Sequence, residues 1–146
     1  MEVLNHILLI DADDASNLIT RIMLKKASVA EHIHTTRNGE EAITLLSHTN
    51  IVFPDLILLE INMPVMDGFE FLSYWKKNNF TGKSRIVIYT YSARTEDISY
   101  MCQYKDVVGY LEKPINNTQI TKLINLVHNH SNYTQDSNTD IQRIYL

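Results

Sequence analysis

Four side chains in this sequence could act together on a charged ligand: the carboxylates of Asp11 and Glu60, the hydroxyl of Thr90 and the ammonium of Lys113. Each ends or follows a short apolar run. His6-Ile7-Leu8-Leu9-Ile10 stops at Asp11, and Asp55-Leu56-Ile57-Leu58-Leu59 stops at Glu60. Arg85-Ile86-Val87-Ile88-Tyr89 precedes Thr90, and Val107-Val108-Gly109-Tyr110-Leu111 precedes Lys113. Runs this short and this aliphatic are strands covered on both faces. In open sheets of parallel strands, ligands bind beyond the carboxyl ends, beside the point where strand order reverses. That rule brings the four residues to one place.

Other chemistries find less in the chain. His32-x-His34 would share a face in a strand and could chelate a metal, but the sequence offers no third ligand. His128-x-His130 falls in a helical pattern, where i and i+2 diverge. Both pairs are read as solvent-exposed histidines. Cys102 has no base beside it in the sequence and reads as a small hydrophobe. The glycines are scattered singly, so there is no Gly-rich phosphate loop. No Gly-x-Ser-x-Gly elbow or zinc-helix motif occurs.

The elements that must position the four residues alternate along the chain. After the first strand, Asp14 to about Lys26 has helical spacing, with Leu18 and Ile22 as an i, i+4 stripe and Ile19 and Met23 alongside. A weaker strand spans Glu31–Thr36, and Asn38-Gly39 breaks the chain. Glu40–His48 sets Ala42, Leu45 and Leu46 on one helical face. Asp67-Gly68 marks a turn before Phe69–Asn78, whose buried face is Phe71, Leu72 and Trp75. Gly82 separates that helix from the fourth strand, and Arg94–Gln103 is a polar helix. Lys113-Pro114 stops the fifth strand. In the last helix Ile120, Leu123, Ile124 and Val127 form a core-facing stripe. Five strands, each followed by a helix, predict an α/β fold with a parallel sheet wrapped on both faces.

The 146 residues suit one domain, with 45% hydrophobic and 21% charged residues. A formal charge of −4 speaks against a nucleic-acid binder, whose footprint is a clustered basic face. One cysteine excludes an internal disulfide and suits a reducing compartment. No run approaches a membrane span, and the N-terminus lacks a basic signal region. The expectation is a cytoplasmic protein: a domain over residues 1–130 and a polar tail over 131–146, whose last six residues are apolar enough to dock.

The stretch Pro54–Gly68 (Pro-Asp-Leu-Ile-Leu-Leu-Glu-Ile-Asn-Met-Pro-Val-Met-Asp-Gly), together with Leu8-Leu9-Ile10-Asp11, Thr90 and Gly109–Pro114, resembles the receiver domain of two-component response regulators. The resemblance runs from about Asn5 to His130. It implies a flavodoxin-like, doubly wound five-stranded sheet in the order 2-1-3-4-5 with five helices. It also implies a place in phosphorelay signalling in bacteria. In that family a sensor histidine kinase phosphorylates an Asp at the end of the third strand. Paired acids after the first strand and a backbone carbonyl help hold Mg²⁺, and a Thr/Ser and a Lys bind the phosphoryl oxygens. Here the metal ligands would be Asp11, Glu60 and the Asn62 carbonyl, the phosphoryl ligands Thr90 and Lys113, and the switch pair Thr90 and Tyr110.

Two positions depart from the pattern. Glu60 stands where the acceptor Asp belongs, and Ala12 where the second of the paired acids belongs. One extra methylene moves the carboxylate by ~1.5 Å, and phosphoryl transfer is almost entirely positioning. Phosphorylation is expected to be crippled or absent and Mg²⁺ weakly held, unless Asp13 or Asp14 compensates. Glu60 then either imitates the phosphorylated state toward Thr90 and Lys113 or forms a fixed ion pair with Lys113. Five of the eight tyrosines (Tyr89, Tyr91, Tyr100, Tyr104, Tyr110) lie between residues 89 and 110. Those at 91, 100, 104 and 110 mark an expected surface for protein partners, a sensor kinase or a downstream target. The expectation is a stand-alone, non-enzymatic module. A second resemblance, of Asp11-Ala12-Asp13 to the Asp-x-Asp of haloacid-dehalogenase-like phosphohydrolases, implies an alternative Mg-dependent ester hydrolysis. It leaves Glu60–Gly68 unexplained.

Overall fold

The computed structural model describes residues 3–129 and residue 146. Five strands alternate with five helices: β1 (Leu4–Ile10), α1 (Asp14–Lys26), β2 (Ala30–Thr36), α2 (Gly39–Leu46), β3 (Leu56–Leu59), α3 (Gly68–Lys77), β4 (Arg85–Thr90), α4 (Thr95–Met101), β5 (Val107–Glu112) and α5 (Asn117–Asn129). The sheet is parallel throughout, in the order β2-β1-β3-β4-β5. The chain therefore reverses direction across the sheet between β1 and its two neighbours.

Strand residues alternate between two cores, as a pleat of period two requires. Leu8, Ile10, Ile57, Leu59, Ile86 and Ile88 pack with Phe71, Leu72 and Trp75 of α3 and with Ile98 and Met101 of α4. Ile7, Leu9, Leu56, Leu58 and Val87 pack on the opposite face with Leu24 of α1 and Ile120, Leu123 and Ile124 of α5. Val127 is only partly buried at the rim of this second core. Helix starts are capped as the sequence encodes: Asp13, Asn38 and Asp67 each accept backbone N–H groups from the first turn that follows.

Helix α1 has the expected bounds but presents a different face. Leu18, Ile19 and Ile22 are 60%, 50% and 44% exposed. Ser16, Asn17, Thr20 and Leu24 are buried instead. Polar contacts hold that inner face: the Asn17 Nδ2 donates to the Asp11 carbonyl at 2.9 Å, and the Thr20 hydroxyl pairs with the Tyr89 hydroxyl at 2.9 Å. These contacts satisfy buried polar groups, so the apolar stripe is left to solvent. The expected tail over 131–146 lies outside the described residues apart from Leu146. Its N–H donates to the Tyr110 carbonyl at 2.9 Å, and its side chain packs beside the second core.

Candidate functional site

The register places the site. Ile10 of β1 pairs with Leu59 of β3, so Asp11 and Glu60, one residue further on, leave adjacent strands side by side. The Glu60 N–H continues the ladder to the Ile10 carbonyl at 3.0 Å. Thr90 pairs with Glu112 at the ends of β4 and β5, and the Lys113 N–H donates to the Thr90 carbonyl at 2.8 Å. An open cleft of about 450 Å³ is lined by Asp11, Ala12, Asp13, Glu60, Asn62, Thr90, Tyr91, Ser92 and Lys113. All four residues nominated from the sequence reach it.

Lys113 is the centre of charge. Its Nζ donates to Asp11 Oδ2 and, at 2.9 Å, to Glu60 Oε2. The three side chains are 2%, 9% and 10% exposed respectively for Lys113, Asp11 and Glu60. The remaining oxygens are also engaged. Asp11 Oδ1 accepts the Asp13 N–H at 2.9 Å, and Glu60 Oε1 accepts the Ile61 N–H at 2.8 Å. Burial pulls the Lys113 ammonium down, but hydrogen bonds from it to Asp11 and Glu60, with their charges, raise it above its ordinary value. The rings of Tyr89 and Tyr91 lie 5.3 and 5.2 Å from the ammonium and add cation–π attraction. Burial pushes the Tyr89 phenol up, so it stays neutral beneath this cluster.

Glu60 depends on a close approach behind it. A Cβ on Gly68 would lie 2.7 Å from the Glu60 carbonyl oxygen and 3.1 Å from the Ile61 Cα. Gly68 therefore lets the start of α3 press against the Glu60–Ile61 backbone, and its N–H donates to the Ile61 carbonyl at 2.8 Å. The sequence marks Asp67-Gly68 as a turn; the contact with Glu60 needs the fold.

As arranged here, the donor set is a poor match for Mg²⁺. That ion demands near-octahedral oxygen ligands. Asp11 and Glu60 are the acidic oxygens at hand, and the Lys113 ammonium already bridges them. Ala12 contributes no donor, Asp13 is turned to cap α1, and Asp14 pairs with Arg37 at 3.3 Å on the surface. Among the described residues no three His, Cys, Asp or Glu side chains form a group able to hold a metal ion. Thr90 faces the cleft with its hydroxyl donating to the Ser92 carbonyl at 3.4 Å rather than to Glu60.

Tyr110 is buried among the first core rather than exposed with Tyr91 and Tyr100, so it does not belong to the expected tyrosine surface in this conformation. The β-strand pleat explains it: Tyr110 pairs with Ile88 and shares its inward face. Tyr89 is buried too, and Tyr100 packs edge-on against Tyr104 on α4's side, with ring centroids 6.2 Å apart.

Comparison with known proteins matches this architecture. The response regulator receiver domain family covers residues 7–125. The chain belongs to that family, whose members are the receivers of two-component signalling. It is similar to the probable C4-dicarboxylate response regulator DctR of Halalkalibacterium halodurans, at 33% identity over 77% of this chain and 46% of that protein. It is also similar to the response regulator Rcp1 of Synechocystis, at 28% identity over 81% of this chain and 82% of that protein. A two-component response regulator from Cytophaga hutchinsonii has the same fold, with a TM-score of 0.76 at 26% identity over 88% of this chain and 99% of that one. The chain spans about half the length of several curated relatives, such as the 46% of DctR. The phosphohydrolase alternative gains no support, since the Asp13 side chain it requires as a second acid caps α1 instead.

Proposed function

We propose that this receiver transmits signals by binding proteins, with phosphorylation impaired and Glu60 standing in for part of the phosphorylated state. The observation that carries the reading is the Lys113 ammonium bridging Asp11 and Glu60. In this arrangement the acceptor-position carboxylate is held at both oxygens and is turned to a cation, not to an incoming phosphoryl group. Phosphoryl transfer would require breaking both contacts and supplying the charge that Ala12 leaves out. Mg²⁺ binding is weak for the same reason.

The imitation is partial. A carboxylate offers one negative charge and two oxygens, against nearly two charges and three acceptor oxygens on a phosphoryl group. Glu60 engages Lys113, as a phosphoryl oxygen would, but leaves the Thr90 hydroxyl on Ser92. Tyr110 already lies inward. In this reading the receiver unit occupies residues 1–130, works in the cytoplasm as a non-enzymatic module, and meets a sensor kinase or a downstream target near Tyr91, Tyr100 and Tyr104. No helix among the described residues is long and apolar enough to cross a membrane.

Incubation with acetyl phosphate and Mg²⁺, read by intact mass, separates impaired from competent chemistry. The wild-type chain should stay unmodified, and Glu60→Asp alone should gain little. The double variant Ala12→Asp with Glu60→Asp should carry a phosphoryl group. A wild-type adduct mapped to Glu60 would overturn the reading.

A further inference from the structure

We propose that the outer edge of β5 is a docking edge for an extended segment of chain, and that residues 141–146 of this same chain occupy it. The observation that carries the inference is the contact at Leu146. Its N–H donates to the Tyr110 carbonyl at 2.9 Å, and its half-buried side chain packs against the second core. A backbone donor on a strand carbonyl and an apolar side chain in the adjoining core are the two contacts by which a segment adds to a sheet.

The strand register shows why that carbonyl faces outward. β5 is last in the order β2-β1-β3-β4-β5, so only one of its sides borders a described strand. Thr90 pairs with Glu112 and Ile88 with Tyr110, and the Lys113 N–H donates to the Thr90 carbonyl. Backbone groups of successive residues in a parallel strand point to its two sides in turn, so Leu111 and Lys113 address β4. Tyr110 and Glu112 address the other side, where Leu146 meets the first of them. Native sheets cover such an edge, because its backbone groups otherwise recruit other chains.

The segment suits the edge. Residues 141–146 read Ile-Gln-Arg-Ile-Tyr-Leu, rich in types favoured in strands, after a polar run over 131–140. Period-two spacing in a strand puts Ile144 on the same side as Leu146. Helix α5 ends at Asn129. It is about 20 Å long, and residues 130–140 reach up to about 36 Å when extended. The connection is therefore long enough for the chain to return to its own β5. A tether of that length holds the segment at an effective concentration on the order of millimolar, well above that of a second copy in dilute solution. The docked segment closes the β5 edge, and any extended peptide that binds there must displace it.

Amide hydrogen exchange of the full chain, followed by NMR at two protein concentrations about tenfold apart, reads the docking. The Leu146 amide should exchange about tenfold or more slower than an unstructured amide, equally at both concentrations. Leu146→Pro removes the donor, and Leu146→Asp removes the apolar anchor. Each should speed exchange at Tyr110 and Glu112, while Leu111, which faces β4, keeps its rate. Asn132→Ala should leave all of them unchanged. Exchange of Leu146 at the unstructured rate, or Tyr110 and Glu112 amides indifferent to both variants, would overturn the inference. Protection that fades on dilution, with a matching fall in mass by light scattering, would make a second copy the occupant and overturn it equally.

Discussion

Lys113 is pulled two ways, and the balance has a measurable consequence. Burial disfavours its charge, while Asp11 and Glu60 favour it by more, so its pKa is raised in the folded state. Removing one member of a buried ion cluster strands the others, at a cost of about 3–5 kcal/mol. Lys113→Met should lose stability on that scale, seen as a lower urea midpoint with an unchanged slope. A pKa raised on folding stabilises the protein below the unfolded value of 10.5 and stops doing so as pH climbs through the higher folded value. The wild-type chain should therefore lose stability as pH rises from 10.5 through the folded value, and Lys113 takes no further part above it. Tyr89, also raised by burial, contributes in the same direction, so the comparison that isolates Lys113 is wild type against Lys113→Met. The latter should have the flatter alkaline limb. At this scale the convergence of Asp11, Glu60, Thr90 and Lys113 was legible, because strand ends of a parallel sheet meet in one place. The pinning of Glu60 by the Ile61 N–H was not, since it depends on how the loop after β3 turns.

Among the elements, α1 shows where hydropathy misleads. Its outward stripe is Leu18, Ile19 and Ile22, and its buried side includes Ser16, Asn17 and Thr20. A periodic count treats such polar residues as surface; Asn17 and Thr20 are inside because Asp11 and Tyr89 offer them partners. Leu18→Asp should change stability by no more than about 0.5 kcal/mol, as for an ordinary surface site. Leu24→Ala, in the same helix, should cost about 2–5 kcal/mol. Thermal unfolding of the two variants decides between the faces. The junction of β3 and α3 gives a second test. Gly68→Ala would push a methyl against the Glu60 carbonyl, so the loop carrying Glu60 must shift. Overpacking of that kind costs about 1–3 kcal/mol, and the amide signals of Glu60 and Ile61 should move with it. Asp106, whose Oδ2 accepts both the Trp75 indole N–H at 2.9 Å and the Gly82 N–H at 2.7 Å, ties α3 to the start of β5 in a way no sequence pattern announces.

For the molecule as a whole, the alternation of strands and helices was readable from the apolar runs, and the strand order followed from the family the runs resemble. Contacts that join distant strands were not. The approach of His6 to His32 and His34 required the β1–β2 register, and the buried place of Tyr110 required its pairing with Ile88. What the assembled sheet offers a phosphate-like group is a cleft whose lysine is already committed to two carboxylates. The most direct test of that claim is the amide spectrum of the wild-type chain with and without Mg²⁺ and beryllofluoride, which occupies receiver acceptor sites as a phosphoryl mimic. Signals of Ile61, Asn62, Thr90 and Lys113 should stay where they are at saturating reagent. A concerted shift of those four amides, reversed on removing fluoride, would mean that Lys113 lets go of Glu60 and that the site still accepts the group it is said to exclude.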